Sequence, residues 1–146
     1  MKVNDIMTQP VITVREDTPL HEVAALMLDQ RIGGVPVVSE EGELKGMITE
    51  SDFTAKEKCF PFSMFRAPEL FGHWLSNDAE ELYAAARTMP AREIMSTWVV
   101  TVAEDDSVEK VLELILRHDV NRIPVVRDRK PIGIVARHDL LRMMKR

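Results

Sequence analysis

The sequence predicts an α/β (α+β) fold of two β-α-β-β-α repeats, packed through their sheets with pseudo-twofold symmetry and separated by a mostly helical, aromatic-rich insert. Three observations carry this expectation. The stretch Gly46-Met47-Ile48-Thr49-Glu50-Ser51-Asp52 is nearly copied by Gly133-Ile134-Val135-Ala136-Arg137-His138-Asp139. A slide of 88 positions lays Ile6-Met7 on Ile94-Met95, Val11-Ile12-Thr13-Val14 on Val99-Val100-Thr101-Val102, and Val35-Pro36-Val37-Val38 on Ile123-Pro124-Val125-Val126, without a gap. Strand and helix signals also follow one another in the same order in both halves. A repeat of roughly 60 residues buries only a modest share of its surface alone, so each half needs the other.

Taken in order, Val11 to Val14 reads as a short β-branched strand, ended by Arg15-Glu16-Asp17, and its counterpart is ended by Ala103-Glu104-Asp105. A helix follows in each half. Thr18 stands as N-cap with Pro19 at the first helical position, and Asp106 with Glu109 three residues on forms a capping-box pattern. Leu20, Val23, Ala24, Met27 and Leu28, and likewise Val108, Val111, Leu112, Ile115 and Leu116, fall at helical spacing and give each helix one apolar face. The sheet that covers it comes from Val35 to Val38 with Leu44 to Thr49, and from Ile123 to Val126 with Ile132 to Ala136. The turn Ser39-Glu40-Glu41-Gly42 with its flanks is one residue longer than Arg127-Asp128-Arg129-Lys130, and the repeat offset falls to 87, a change that a surface loop tolerates. Second helices begin near Ser51 and near His138, the last carrying Leu140, Leu141, Met143 and Met144.

These signals divide the chain into residues 1–53, 54–90 and 91–146. Phe60, Phe62, Phe65, Phe71, Trp74 and Tyr83 crowd into the middle piece, which leaves Trp98 as the lone aromatic beyond it and the adjoining Phe53. A disordered tether would be poor in such residues. Pro61, Pro68, Gly72 and Pro90 cut the piece into short lengths, with Asp78 to Thr88 the best helical candidate. The insert either packs on the repeat core or a dimer interface, or forms an aromatic lid over a bound base.

The 146 residues are 45% hydrophobic, enough for a real core without staples. Cys59 is the sole cysteine, which removes an internal disulfide and a cysteine-based zinc site and fits a reducing compartment. The start of the chain lacks a signal-peptide pattern and no run approaches the roughly 20 apolar residues of a membrane span, so a soluble, cytoplasmic protein is expected. A net charge of −5 disfavours general nucleic-acid binding. His21, His73 and His118 show no metal-ligand spacing. No nucleophile sits beside a base and no carboxylate pair has catalytic spacing, so no catalytic residue is assigned.

Where each Gly-to-Asp stretch ends, a strand passes into a helix. This gathers the Thr49 hydroxyl, the Asp52 carboxylate and free helix N–H groups at one rim, a setting that can hold hydroxyls and phosphates. Asp52 and Asp139 also suit plain helix caps, and Arg92, Arg122 and His138 suit wet or salt-bridged surface positions.

The Ile-Met opening, the Thr-Val strand, the Pro-Val-Val strand and the Gly-x-x-Thr-x-x-Asp close, in order and twice, resemble the cystathionine β-synthase (CBS) domain, which occurs as tandem pairs. The resemblance covers Val3 to Phe53 and Ala91 to Leu141. It implies a regulatory module rather than an enzyme, with no required cofactor, that binds adenosine compounds such as AMP, ADP or ATP, and in some members S-adenosylmethionine or a dinucleotide, in two shared clefts. It also implies a homodimer that signals to an effector protein. Carried over, cleft A would use Met47, Thr49 and Asp52 with Arg92, Val99, Val100, Val120, Asn121 and Arg122. Asp52 would accept the ribose hydroxyls, Arg122 would meet phosphate, and Val99 and Val100 would grip the base.

Cleft B would use Met7, Val11, Ile12, Ile32, Gly33 and Gly34 with Ile134, Ala136, His138 and Asp139. Here Ala136 stands in place of the hydroxyl residue. Gly33 and Gly34 replace Asn121 and Arg122, so that segment offers bare N–H groups and no side chain for phosphate. Cleft A is therefore expected to be the principal nucleotide site and cleft B the weaker one. A rival reading makes the protein a dimeric interaction scaffold with vestigial clefts.

Overall fold

A computed structural model of the chain describes residues 1–53 and 78–145. In order, it runs α1 (Val3–Ile6), β1 (Val14–Arg15), α2 (Leu20–Gln30), β2 (Gly34–Val38), β3 (Leu44–Thr49), a 3-10 turn (Glu50–Phe53), α3 (Asp78–Ala86), a second 3-10 turn (Ala91–Glu93), α4 (Val108–His118), β4 (Arg122–Arg127), β5 (Lys130–Ala136) and α5 (Arg137–Lys145). Phe60, Phe62, Phe65, Phe71, Trp74 and Cys59 lie outside the described residues. Within the insert, the helix expected at Asp78 to Thr88 is observed as Asp78–Ala86, and the Tyr83 hydroxyl donates to the carbonyl of Phe53.

The two hairpins share one register. Val35 faces Ile48 and Val37 faces Gly46 in the first, and Ile123 faces Val135 and Val125 faces Gly133 in the second, with an irregularity after Val37 and after Val125. The short strand expected over Val11 to Val14 is ordered against β2 only at Val14 and Arg15, in parallel, and in the second half only Val102 bridges to Val125. β-branching favours extended backbone but supplies no partner. Val11, Ile12, Val99 and Val100 run ahead of the point where the chain reaches the sheet.

Both helix starts differ from expectation. Thr18 Oγ1 accepts from the N–H of Arg15 at 3.0 Å and Asp106 Oδ2 from that of Ala103 at 2.8 Å, so each closes the turn behind it. The caps fall one residue later, on Pro19 and on Ser107, whose Oγ accepts from Lys110 N–H at 3.2 Å. Each of these side chains turns back to the N–H three residues upstream, a local bond that competes with capping, and the helix starts one residue further on. The Ala103 N–H, aided by Lys110, holds the Asp106 carboxyl below its ordinary range.

The apolar stripe is also narrower than the pattern suggested. Leu20, Val23 and Met27 are buried on α2 and Val108, Val111 and Ile115 on α4, whereas Leu28 and Leu116 are 77% and 80% exposed. Leu141 and Met144 on α5 are likewise exposed, while Leu140 and Met143 pack against the second core.

Each core is built from both halves. Val3, Ile6 and Met7 lie in the cluster of Val102, Val108, Val111, Ile123 and Val135, while Ala86, Ala91 and Ile94 lie in that of Val14, Leu20, Val23, Val35 and Ile48. Backbone bonds along the seam obey the 88-residue offset. Val3 N–H donates to Asp106 O and Ala91 N–H to Thr18 O, and Asn4 N–H donates to Glu104 O and Arg92 N–H to Glu16 O, at 2.8–2.9 Å. The exchanged segments then join the opposite sheets, Ser96 pairing with Met47 and Thr8 with Ile134. This is why each repeated stretch opens on glycine. A Cβ at Gly46 would lie 2.7 Å from Ser96 O and Met95 Sδ, and one at Gly133 would lie 2.8 Å from Met7 Sδ.

Candidate functional site: two clefts between the repeats

α2 and α4 both end in a left-handed residue, Arg31 (φ 55°) and Asp119 (φ 51°), that turns the chain back toward the sheet. The segments after these caps, Ile32–Gly34 and Val120–Arg122, are each tied to the start of their own half's final helical segment and face the other half across a hollow. Glu50 N–H donates to Gly33 O at 3.0 Å and Arg137 N–H to Asn121 O at 2.9 Å, so the two crossings are bonded alike. A hollow forms at each.

Cleft A has a volume of about 300 Å³ and is lined by Met47, Thr49, Ser51 and Asp52 from the first repeat and by Ser96, Trp98, Val99, Val100 and Asp119 to Arg122 from the second. It gathers every residue expected there except Arg92. That side chain is exposed on the second 3-10 turn, whose backbone is tied to Glu16 at the seam, and does not line the hollow. Asp52 is partly buried, and its Oδ2 accepts from Thr49 N–H at 2.8 Å. The Thr49 and Ser51 hydroxyls share a hydrogen bond of 2.9 Å.

Four wall residues escaped sequence reasoning: Ser51, Ser96, Trp98 and Asp119. Ser96 and Asp119 occupy the repeat positions of Thr8 and Arg31, which line cleft B, so the alignment of the halves held the signal. Trp98 is 68% exposed, with its ring edge-on to His118 at 5.1 Å between centroids. Its signal was its place, a solitary aromatic directly before Val99.

Cleft B measures about 320 Å³ and is lined by Val11, Ile12, Ile32, Gly33, Gly34, Ile134, Ala136, His138 and Asp139, all expected, and by Thr8, Pro10, Arg31, Arg122 and Arg142. Met7 does not line it. Its side chain is 9% exposed and crosses Gly133 within the second core. Asp139 is 3% exposed and heavily engaged: Oδ2 accepts from Ala136 N–H at 2.7 Å, while Oδ1 meets Thr8 Oγ1 at 3.3 Å and Arg142 Nη2 at 3.4 Å. A sugar diol at Asp139 would have to displace those partners.

The Gly33-Gly34 segment offers no side chain of its own to cleft B, but Arg122 of the other repeat reaches in beside it. Its Nη1 donates to Gly33 O at 3.3 Å. A Cβ at Gly33 would fall 2.5 Å from Nη2, and one at Gly34 would fall 2.9 Å from Cδ. The two glycines form the trough in which a guanidinium from the other repeat lies.

The comparisons with known proteins agree with this architecture. The CBS domain family model matches residues 3–57 and 91–146. The chain belongs to the CBS domain family. Similar solved CBS structures include the CBS domain of a CBS domain-containing membrane protein from Sphaerobacter thermophilus, 41% identical with a TM-score of 0.73, covering 97% of this chain and 86% of that one. Another is the CBS domain pair of protein MJ0100 in complex with 5′-methylthioadenosine and S-adenosylmethionine, 27% identical with a TM-score of 0.71, covering 99% of this chain and 96% of that one. Among curated relatives, MJ1404 of Methanocaldococcus jannaschii is 33% identical over 97% of this chain, which spans 31% of the length of MJ1404. Among the described residues of this CBS pair, no helix is long and apolar enough to cross a membrane, and no group of three or more His, Cys, Asp or Glu could hold a metal ion.

Proposed function

We propose that this CBS pair is a regulatory, non-catalytic module that binds an adenosine-type small molecule across its two repeats, divided as residues 1–53, the insert 54–90 and 91–146. The observation that carries the reading is cleft A, where Asp52 of one repeat shares a hollow with Trp98, Val99, Val100, Asn121 and Arg122 of the other. A carboxylate suits a ribose diol, because bonds to a charged acceptor are worth about 1.5–3 kcal/mol each. Trp98 supplies an apolar face for a purine, at about 1–3 kcal/mol for base stacking on an aromatic ring. The adenosine ligands of MJ0100, a relative at 27% identity, support the same class.

Cleft A is the principal site for the nucleoside, since the carboxylate of cleft B is already taken up by Thr8 and Arg142. Binding favours one orientation of the repeats, and an effector protein that prefers this orientation feels the change. The coupling cannot exceed the ligand's differential affinity for the two states. The exposed Leu28 and Leu116, at matched positions of α2 and α4, support assembly into a homodimer. A cytoplasmic setting accords with an intracellular nucleotide ligand.

The test is calorimetry with AMP, ADP, ATP, 5′-methylthioadenosine, S-adenosylmethionine and NAD on wild type and on Asp52→Ala. At least one compound should bind, and Asp52→Ala should weaken it by more than about tenfold, the equivalent of one charge-assisted bond. Failure of all six to bind at millimolar concentration, with the dimer intact, would leave the scaffold reading in its place.

A further inference from the structure

Arg122 lines cleft A and cleft B alike, yet its head group has a definite resting place. The first residue of β4 projects from the wall of cleft A, and the guanidinium lies over Gly33, held by a long hydrogen bond to its carbonyl at 3.3 Å. Charge is distributed unevenly between the hollows. Among the described residues lining cleft A, Arg122 is the one Lys or Arg, and Asp52 and Asp119 stand with it. Cleft B is lined by Arg31, Arg122, Arg142 and His138 against Asp139 alone. A phosphate entering cleft B meets Arg122 where it already rests. A phosphate entering cleft A must draw the same guanidinium off Gly33 and away from cleft B.

We propose that the guanidinium of Arg122 is a single anion-binding group shared by the two clefts, so that a phosphate-bearing adenosine compound in cleft B weakens the binding of a second one in cleft A. This rests on the reading that the clefts take adenosine compounds and adds their mutual antagonism for anions. Because equilibrium coupling is reciprocal, an anion that captures Arg122 in cleft A weakens cleft B by the same factor. Uncharged adenosine compounds make no demand on Arg122 and escape the antagonism. The double glycine is then a specificity element of cleft B, where it admits a cation from the opposite repeat.

The experiment is calorimetry of the full chain with AMP and with 5′-methylthioadenosine. Trp98 fluorescence is followed in parallel in a Trp74→Phe background, which leaves Trp98 as the only tryptophan of the two in the chain. AMP should bind wild type at two sites that differ by about tenfold or more, with Trp98 emission changing on filling of the one that is cleft A. Arg122→Ala should weaken the tight site by about tenfold and bring the two within a few-fold of each other, and 5′-methylthioadenosine, which carries no phosphate, should fill the clefts of wild type without mutual antagonism. Gly33→Ala, which crowds the guanidinium out of its trough while leaving Arg122 in the sequence, should strengthen the AMP equivalent reported by Trp98 relative to the other by about tenfold. Should Arg122→Ala fail to fold, Gly33→Ala decides alone. Two independent AMP sites of equal affinity in wild type, or a ratio of the two affinities left unchanged in Gly33→Ala, would overturn the proposal. Absence of binding by both compounds would sink the functional reading itself, a different and distinguishable outcome.

Discussion

Replacing Gly46 by alanine asks whether the exchanged segments dictate the glycine that opens each repeated stretch. Gly46 lacks a left-handed φ, so alanine brings no backbone strain, and the reduced freedom of the unfolded chain should by itself stabilise the protein by about 0.4–1 kcal/mol. Opposing this, the new Cβ would stand 2.7 Å from the carbonyl oxygen of Ser96 and 2.7 Å from Met95 Sδ. That oxygen cannot withdraw cheaply, because it accepts from Met47 N–H at 3.0 Å while Ser96 N–H returns a bond of 3.0 Å to Met47 O. Overpacking of this kind costs about 1–3 kcal/mol, and loosening the two bonds adds about 1 kcal/mol. The net expectation is a loss of about 1–3.5 kcal/mol, seen as a melting temperature lower by about 3–10 °C.

Gly133→Ala should cost less, since its closest neighbours are Met7 Sδ at 2.8 Å and Thr8 O at 3.1 Å. Gly33→Ala should cost least, because the atoms within 2.6 Å of its Cβ are the far ends of the flexible side chains of Arg122 and Glu50, which can shift. Urea unfolding of the three variants gives the ranking. An increase in stability for Gly46→Ala, or a loss for Gly33→Ala as large as for Gly46→Ala, would refute the close-approach argument.

Two further outcomes follow from the packing. Ile6 is 1% exposed in a core built chiefly by the second repeat, so Ile6→Ala should cost about 2–5 kcal/mol by urea unfolding despite its place near the chain start. A cost below about 1 kcal/mol would speak against the exchange. Asp106 is held below its ordinary carboxylate value of 3.8 chiefly by the Ala103 N–H. A depressed folded-state value stabilises the protein above the unfolded value and is lost as pH falls through the folded one, so the stability gap between wild type and Asp106→Asn should hold at neutral pH and shrink below about pH 4. A gap that widens on acidification would contradict that sign.

Much of the fold was legible because its causes are local. The hairpins Gly34–Val38 with Leu44–Thr49 and Arg122–Arg127 with Lys130–Ala136 follow from β-branched runs and polar turns, and the helices follow from apolar spacing. Asp52, Asn121 and Arg122 were found together because the repeat alignment and the resemblance placed them on facing segments. Local reasoning misassigned what depends on a neighbour. Thr18 and Asp106 look like helix caps until Arg15 and Ala103 turn back toward them, and Leu28 and Leu116 look buried until the width of the sheet is known.

By itself, then, the order of residues determined the duplication, the hairpins and helices, and the chemistry carried to the end of each third strand. Tertiary structure alone decided that Val3, Ile6 and Met7 cross into the other half's core, that Met7 and Arg92 leave the clefts while Trp98 enters one, and that Arg122 reclines on Gly33 between both. The physical reason is that burial has no direction: an apolar pattern says that a face must be covered but never which segment covers it. A long cation likewise goes where a missing Cβ leaves room, and that room exists only once the two repeats have met.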